Sequence, residues 1–270
     1  MDPARHESER EHRASVPDRR RYTDRGRRLS SMPPDERRLR AVFFDAGNTL
    51  LRMNYAVIAA ELGRHGVRAA PDEVQRAEWR ARVRLDDEVL SRSAPGDSTE
   101  NRSTAERYLG YLLDALGVTD RATVEQIVAW RRTFNLPVGV WNTVDPDAAD
   151  ALSAVERARL RAAVISNSNG SVRSILEALG LTGHLDFVVD SAEVGVEKPD
   201  PRIFELALAR ARVAPGEAAY IGDLYSIDVR GARAAGMRAV LLDPGGHWGA
   251  RDCPLAPDLP GAVRIVLAWR

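Results

Sequence analysis

An aspartate ends the apolar run AVFFD (residues 41–45), and the small residues of AGN follow before Thr-Leu-Leu resumes. A buried strand that stops on a carboxylate presents a nucleophile or a metal ligand at its tip. A second carboxylate two residues on would be the natural companion, but that position is Gly47. Other apolar runs stop on groups of the same kind. AAVIS ends on Ser166 with Asn167 behind it, AAYIGD ends on Asp223 with Asp228 five residues later, and GVEKPDP after FVVD carries Lys198. Any one of these alone reads as a cap or turn residue. Four strand ends bearing such groups together point to a site, because active sites of open parallel sheets form at the carboxyl ends of the strands.

Lys198 is the only lysine, so 38 of the 39 basic residues are arginine. Arginine presents a planar fork and lysine a compact point charge on a flexible stem. A crowded position bridging a carboxylate and a phosphoryl oxygen calls for the second.

The elements that must position these groups follow from periodicity. AVFFD (41–45), AAVIS (162–166), FVVD (187–190), AAYIGD (218–223) and AVLLD (239–243) are continuous rather than alternating, as in strands buried on both faces. Helical patterns separate the later ones. DPDAADALSAVERARL opens on Asp145-Pro146, SVRSILEALG closes on Gly180, and DPRIFELALARA opens on Asp200-Pro201. Strand and helix alternate, which predicts an α/β fold with a Rossmann-like parallel core of about five strands. Between the first two strands lies an insertion without strand pattern, predicted as helices over roughly 55–65, 72–93, 104–116 and 120–134. STAE (103–106) fits a capping box before the third, and SAPGDSTEN is the loop ahead of it. The expected organisation is a tail over 1–39, a core from 40–52 plus 143–270, and a helical domain over 53–142.

The first forty residues hold twelve arginines, eight acids and almost no large aliphatics, a composition that predicts disorder. Formal net charge is zero, so bulk charge favours neither nucleic acid nor an anionic membrane as partner. A single cysteine, Cys253, gives no internal disulfide and fits a reducing compartment. No run approaches the roughly 18 apolar residues of a membrane span. A cytoplasmic protein, monomer or homodimer, is expected.

The order FFDAGNTL, VISNSNG, GVEKPDPRIFELAL and YIGDLYSIDVRGARAAGM resembles the haloacid dehalogenase superfamily of hydrolases, which are mostly magnesium-dependent phosphatases. The resemblance covers about residues 40–250, and the inserted helices look like that family's α-helical cap. It implies Asp45 as nucleophile and ligand of Mg2+, the Gly47 carbonyl and Asp223 as further ligands, and Asp228 beside the metal or orienting Lys198. It implies Ser166 with backbone amides near Asn48 and Asn167 as phosphoryl-binding groups. Lys198 would neutralise Asp45 and the transferring group. The implied substrate is a small phosphorylated metabolite, cleaved through an aspartyl-phosphate.

The pattern breaks at Gly47, where such phosphatases usually carry a second aspartate that protonates the leaving group and then activates water. Losing a general acid/base costs about 10²–10⁴ in rate. His65 and the Asp86-Asp87-Glu88 cluster are candidate replacements, although all four also read as solvated helix residues. Trp79, Trp130 and Trp141 read as pocket lining or packing, and His247-Trp248 as the edge of the site or a surface loop. Two other readings stay open: a weakly active or inactive protein that binds a phosphorylated ligand or a partner, and a haloacid dehalogenase, which needs the nucleophile but no metal. Phosphonate hydrolysis by a cap lysine is set aside, since residues 53–142 contain none.

Overall fold

The structure, a computed structural model, describes residues 38–92 and 101–270. The tail expected to be disordered lies outside the described residues up to position 37, as does the SAPGDSTE part of the loop.

Every residue of β1 (Ala41–Phe44) is buried, as its unbroken apolar run predicts. Val42 and Phe44 enter one core layer, and Ala41 and Phe43 enter the layer on the opposite face. The sheet has six parallel strands in the order β5-β4-β1-β6-β7-β8. Here β4 is Arg161–Ser166, β5 Phe187–Asp190, β6 Ala218–Gly222, β7 Arg238–Leu242 and β8 Leu255–Ala256. The fold is therefore α/β with a parallel core, and the expected count of about five strands is short by one. The sixth has only two residues, Leu255 pairing Leu241, and no apolar run announces it.

One face is covered by α5 (Ala148–Arg157), α6 (Val172–Ala178) and α10 (Leu259–Leu267), the other by α8 (Pro201–Ala211) and α9 (Arg230–Ala234). A four-residue helix, α7 (Ser191–Val194), follows β5. Asp200 caps α8 through its side chain with Pro201 behind it, as expected. The matching Asp145-Pro146 start of α5 is not realised. Asp145 instead accepts from Arg52 Nε at 2.6 Å and from the Asp147 amide at 2.9 Å, so the helix begins three residues later.

The insertion is helical throughout: α1 (Tyr55–Arg64), α2 (Pro71–Glu88), α3 (Arg102–Ala115) and α4 (Arg121–Thr133), with a 3-10 turn at Leu90–Arg92. Asn101, not Ser103, caps α3, its side chain accepting from the Thr104 amide at 2.8 Å. Leu62, Val74, Leu112, Leu113 and Ile127 are fully buried in a core that belongs to the insertion alone. Burial of a side chain of this size stabilises by about 1.5–3 kcal/mol, enough in sum to hold the helices together. The insertion leaves and rejoins the sheet domain through a two-stranded antiparallel ribbon, β2 (Leu51–Arg52) with β3 (Thr143–Val144). A second contact joins Leu85 and Leu90 to Ile227, and beside it Asp86 accepts from the Ser226 amide and hydroxyl, both at 2.9 Å.

Candidate active site

Register places the predicted groups together. Phe44 pairs Val164 on one side and Ile221 on the other, so Asp45 emerges level with the ends of β4 and β6. Its amide donates to Ile221 O at 2.9 Å. Beyond it the amides of Thr49, Leu50 and Leu51 all turn back to the Ala46 carbonyl, and none of these bonds uses the carbonyl of Gly47. One ligand oxygen from each of Asp45, Asp223 and Asp228 lies within 4.8 Å of the others.

Lys198, 2 % exposed, joins this cluster from the loop after β5. Its three ammonium donors meet three acceptors: Asp45 Oδ1 at 2.5 Å, Asp228 Oδ1 at 2.8 Å and the Tyr220 hydroxyl at 2.9 Å. The Tyr220 hydroxyl donates onward to Ile165 O. Three acceptors around one nitrogen suit an ammonium and not a planar fork, which is the physical reason for a lysine in an arginine-rich chain. The Asn167 side chain clamps the Lys198 backbone, its Oδ1 accepting from Lys198 N at 2.7 Å and its Nδ2 donating to Lys198 O at 2.9 Å. Asn167 thereby positions the lysine. Burial alone would lower the Lys198 pKa, but Asp228 and Asp45 outweigh burial and hold it above its ordinary value.

Asp228 is fully engaged. Besides Lys198 it accepts from the amides of Asp223 and Leu224 at 3.0 and 2.9 Å, across a π-helical turn at Tyr225–Val229. A Cβ on residue 222 would come within 2.4 Å of the Asp228 Cγ, so only glycine fits there. Ser166, at the end of β4, is buried with its hydroxyl donating to Asn167 O at 3.2 Å.

The insertion contributes groups that sequence reasoning missed. Glu78 and Arg82 of α2, 0 % and 3 % exposed, form a two-bond pair at 2.8 and 2.6 Å. Glu78 also accepts from Tyr55 at 3.2 Å, from the Tyr108 hydroxyl and from Asn48 Nδ2 at 3.1 Å. Asn48 Nδ2 reaches Asp223 Oδ2 at 3.1 Å, and Arg82 Nη1 lies 3.3 Å from the same oxygen.

Asp45, Asp223, Asp228 and Glu78 are four buried carboxylates against two buried cations, Lys198 and Arg82, a formal excess of two negative charges. Burial pushes Asp45 up to about 6, with Lys198 opposing and Asp228 reinforcing. Burial also drives Asp223 well above the usual carboxylate range, opposed by Arg82 and reinforced by Asp228 and Asp45. The partners named above use Oδ1 of Asp45 and Oδ2 of Asp223, and the second oxygen of each lies outside that set. Asn48 Oδ1 is a buried acceptor without a donor. Hard oxygen donors, a two-charge deficit and an orphan acceptor that a metal-bound water would meet all fit a divalent cation such as magnesium.

A cavity of about 300 Å³ opens over these groups, with Asp45, Ser166, Lys198 and Asp223 at its floor and Leu85, Tyr108 and Trp141 among its walls. The expected replacements for the missing acid do not line it. His65 bonds Glu61 at 3.2 Å, Asp87 pairs Arg251 at 3.0 Å, Glu88 bonds Tyr111 and pairs Arg84, and Asp86 is taken by Ser226. Trp79 and Trp130 stand off the cavity, and Trp248 is buried in the sheet core.

Residues 39–236 match the haloacid dehalogenase-like hydrolase family. The chain is a haloacid dehalogenase-like hydrolase. This hydrolase is 34 % identical over 212 residues to haloacid dehalogenase-like hydrolase domain-containing protein 3 of Homo sapiens, covering 76 % of this chain and 82 % of that protein. It is 44 % identical over 115 residues to a phosphoserine phosphatase of Thermus thermophilus, covering 42 % and 45 % of the two chains. Its fold is similar to that of a 2-haloacid dehalogenase from Pseudomonas syringae, with a TM-score of 0.52 and 25 % identity over 86 % of this chain and all of that one. The helical insertion of this hydrolase is thus a cap over the ends of a Rossmann-like sheet, as the motif order implied. Among its described residues no helix is long and apolar enough to cross a membrane.

Proposed function

We propose that this hydrolase is a magnesium-dependent phosphatase acting on a small phosphorylated metabolite. The observation that carries the reading is the buried excess of two negative charges around Asp45 and Asp223, which a dehalogenase has no use for. Asp45 attacks phosphorus, its oxygen–phosphorus bond forming as the ester bond breaks, and water later cleaves the aspartyl-phosphate. Lys198 holds Asp45 in place and cancels charge between nucleophile and substrate. Ser166 faces the phosphoryl oxygens, while Asp228 and Asn167 fix Lys198. Asp45, Asp223 and the Gly47 carbonyl would hold the ion, which supplies charge neutralisation for in-line transfer when bound. Gly47 brings no proton to the leaving group, so substrates that depart as stabilised anions are favoured.

That same glycine favours a second reading, dehalogenation, because a halide leaves without a proton. One experiment separates the two. Magnesium-dependent release of phosphate from an aryl phosphate, lost in Asp45→Asn, supports the phosphatase. Halide release from a 2-haloacid that persists in chelator overturns it, and neither activity would leave a ligand-binding protein.

A further inference from the structure

Glu78 and Arg82 have no part in the chemistry so far, and neither lines the cavity. Buried ion pairs are not in themselves stabilising, because desolvation offsets attraction. This pair is nonetheless heavily reinforced. Tyr55, Tyr108 and Asn48 all donate to Glu78, fixing the carboxylate that holds Nε and Nη2 of Arg82. The remaining guanidinium nitrogen, Nη1, makes no hydrogen bond and stands 3.3 Å from Asp223 Oδ2.

We propose that Glu78 keeps Asp223 open to a divalent cation by holding Arg82 back, so that a cap helix sets the metal affinity of the sheet domain. The inference rests on the metal-dependent reading above. A guanidinium prefers two parallel bonds to one carboxylate. Held side-on by Glu78 through Nε and Nη2, the guanidinium brings only Nη1 up to Asp223, at 3.3 Å and without a hydrogen bond, and so stands short of an end-on fork. Once the charge on Glu78 is removed, Asp223 is the remaining carboxylate beside Arg82. A forked Arg82–Asp223 pair would then occupy the oxygens that a cation requires and cancel the charge that attracts it. Because Glu78 and Arg82 ride on the cap and Asp223 on the sheet, lifting the cap would also withdraw the guanidinium.

Calorimetric titration of the full chain with magnesium chloride tests this, with melting temperature as a check on folding. Glu78→Gln, nearly isosteric, is expected to weaken magnesium binding at least about tenfold, equal to about 1.4 kcal/mol. Adding Arg82→Met to it removes the competitor and is expected to restore affinity to within about threefold of wild type. Arg82→Met alone is expected to bind magnesium no more weakly than wild type, and this decides the matter should Glu78→Gln fail to fold. Unchanged binding in Glu78→Gln, no restoration in the double variant, or weaker binding in Arg82→Met overturns the proposal. Wild type that binds no divalent cation would overturn the metal-dependent reading itself, and this proposal with it.

Discussion

Trp141, two residues ahead of β3 on the way back from the cap, lies over Gly47, and a Cβ at that position would meet its indole ring at 3.5 Å. A methyl group fits that distance, and the ring narrows the directions left to a carboxylate beyond it. Gly47→Asp alone is expected to gain little turnover on an alkyl phosphate, whose leaving group needs protonation. Gly47→Asp with Trp141→Ala is expected to gain within the general acid/base range of about 10²–10⁴. Steady-state kinetics on both variants checks this, and an equal gain in the single variant would show that the ring is no obstacle. Asp45, Ser166 and Asp223 were legible in the sequence because a strand end fixes where a side chain goes, and Lys198 and Asp228 because their motifs follow such ends. Glu78 and Arg82 were not. A Glu and an Arg four apart on an arginine-rich helix have the pattern of a solvated surface pair, and only packing against Asn48 and Asp223 turns them inward.

At the scale of elements, the Asp86–Ser226 bonds tie the end of α2 to the π-helical turn that shapes Asp228. Burial raises the Asp86 carboxyl from its ordinary 3.8 to about 6, the bonds from Ser226 opposing. A carboxyl raised on folding binds more protons in the native state. Its neutral form contributes stability at low pH that is lost as pH rises through about 6, and the burden at neutral pH is up to about 3 kcal/mol. Asp86→Asn is therefore expected to stabilise the protein near pH 7 and to have little effect near pH 4. Urea unfolding at the two values measures it, and an equal effect at both would mean that the carboxyl is not raised. The elements themselves were legible to different degrees. Five strands announced themselves as continuous apolar runs because both faces are covered. β8 and the β2–β3 ribbon are two residues per strand, too short for any period, and α5 starts late because Arg52 claims the residue that would have capped it.

Over the whole molecule the formal charges sum to zero, while the interior of the site carries an excess of acid. A divalent cation that binds only the folded chain at about 100 times its dissociation constant stabilises by about 2.7 kcal/mol. For a chain of this size that is a rise of about 5–10 °C in melting temperature. Magnesium is expected to produce such a rise in wild type and none in Asp223→Asn, as scanning calorimetry with and without chelator would show. A rise of equal size in the variant would place the ion elsewhere. The β2–β3 ribbon has a different kind of consequence. Arg52 and Thr143 face each other as partners, so the chain leaves for the cap and comes back at the same point. A two-residue Asn-Gly hairpin turn is the natural splice between such partners. The junction is thus a graft point: the helices can be cut out, or replaced by those of a relative with other chemical tastes, without rerouting one strand of the sheet. Chimaeras spliced there should keep the hydrolytic machinery and inherit the donor's choice of substrate.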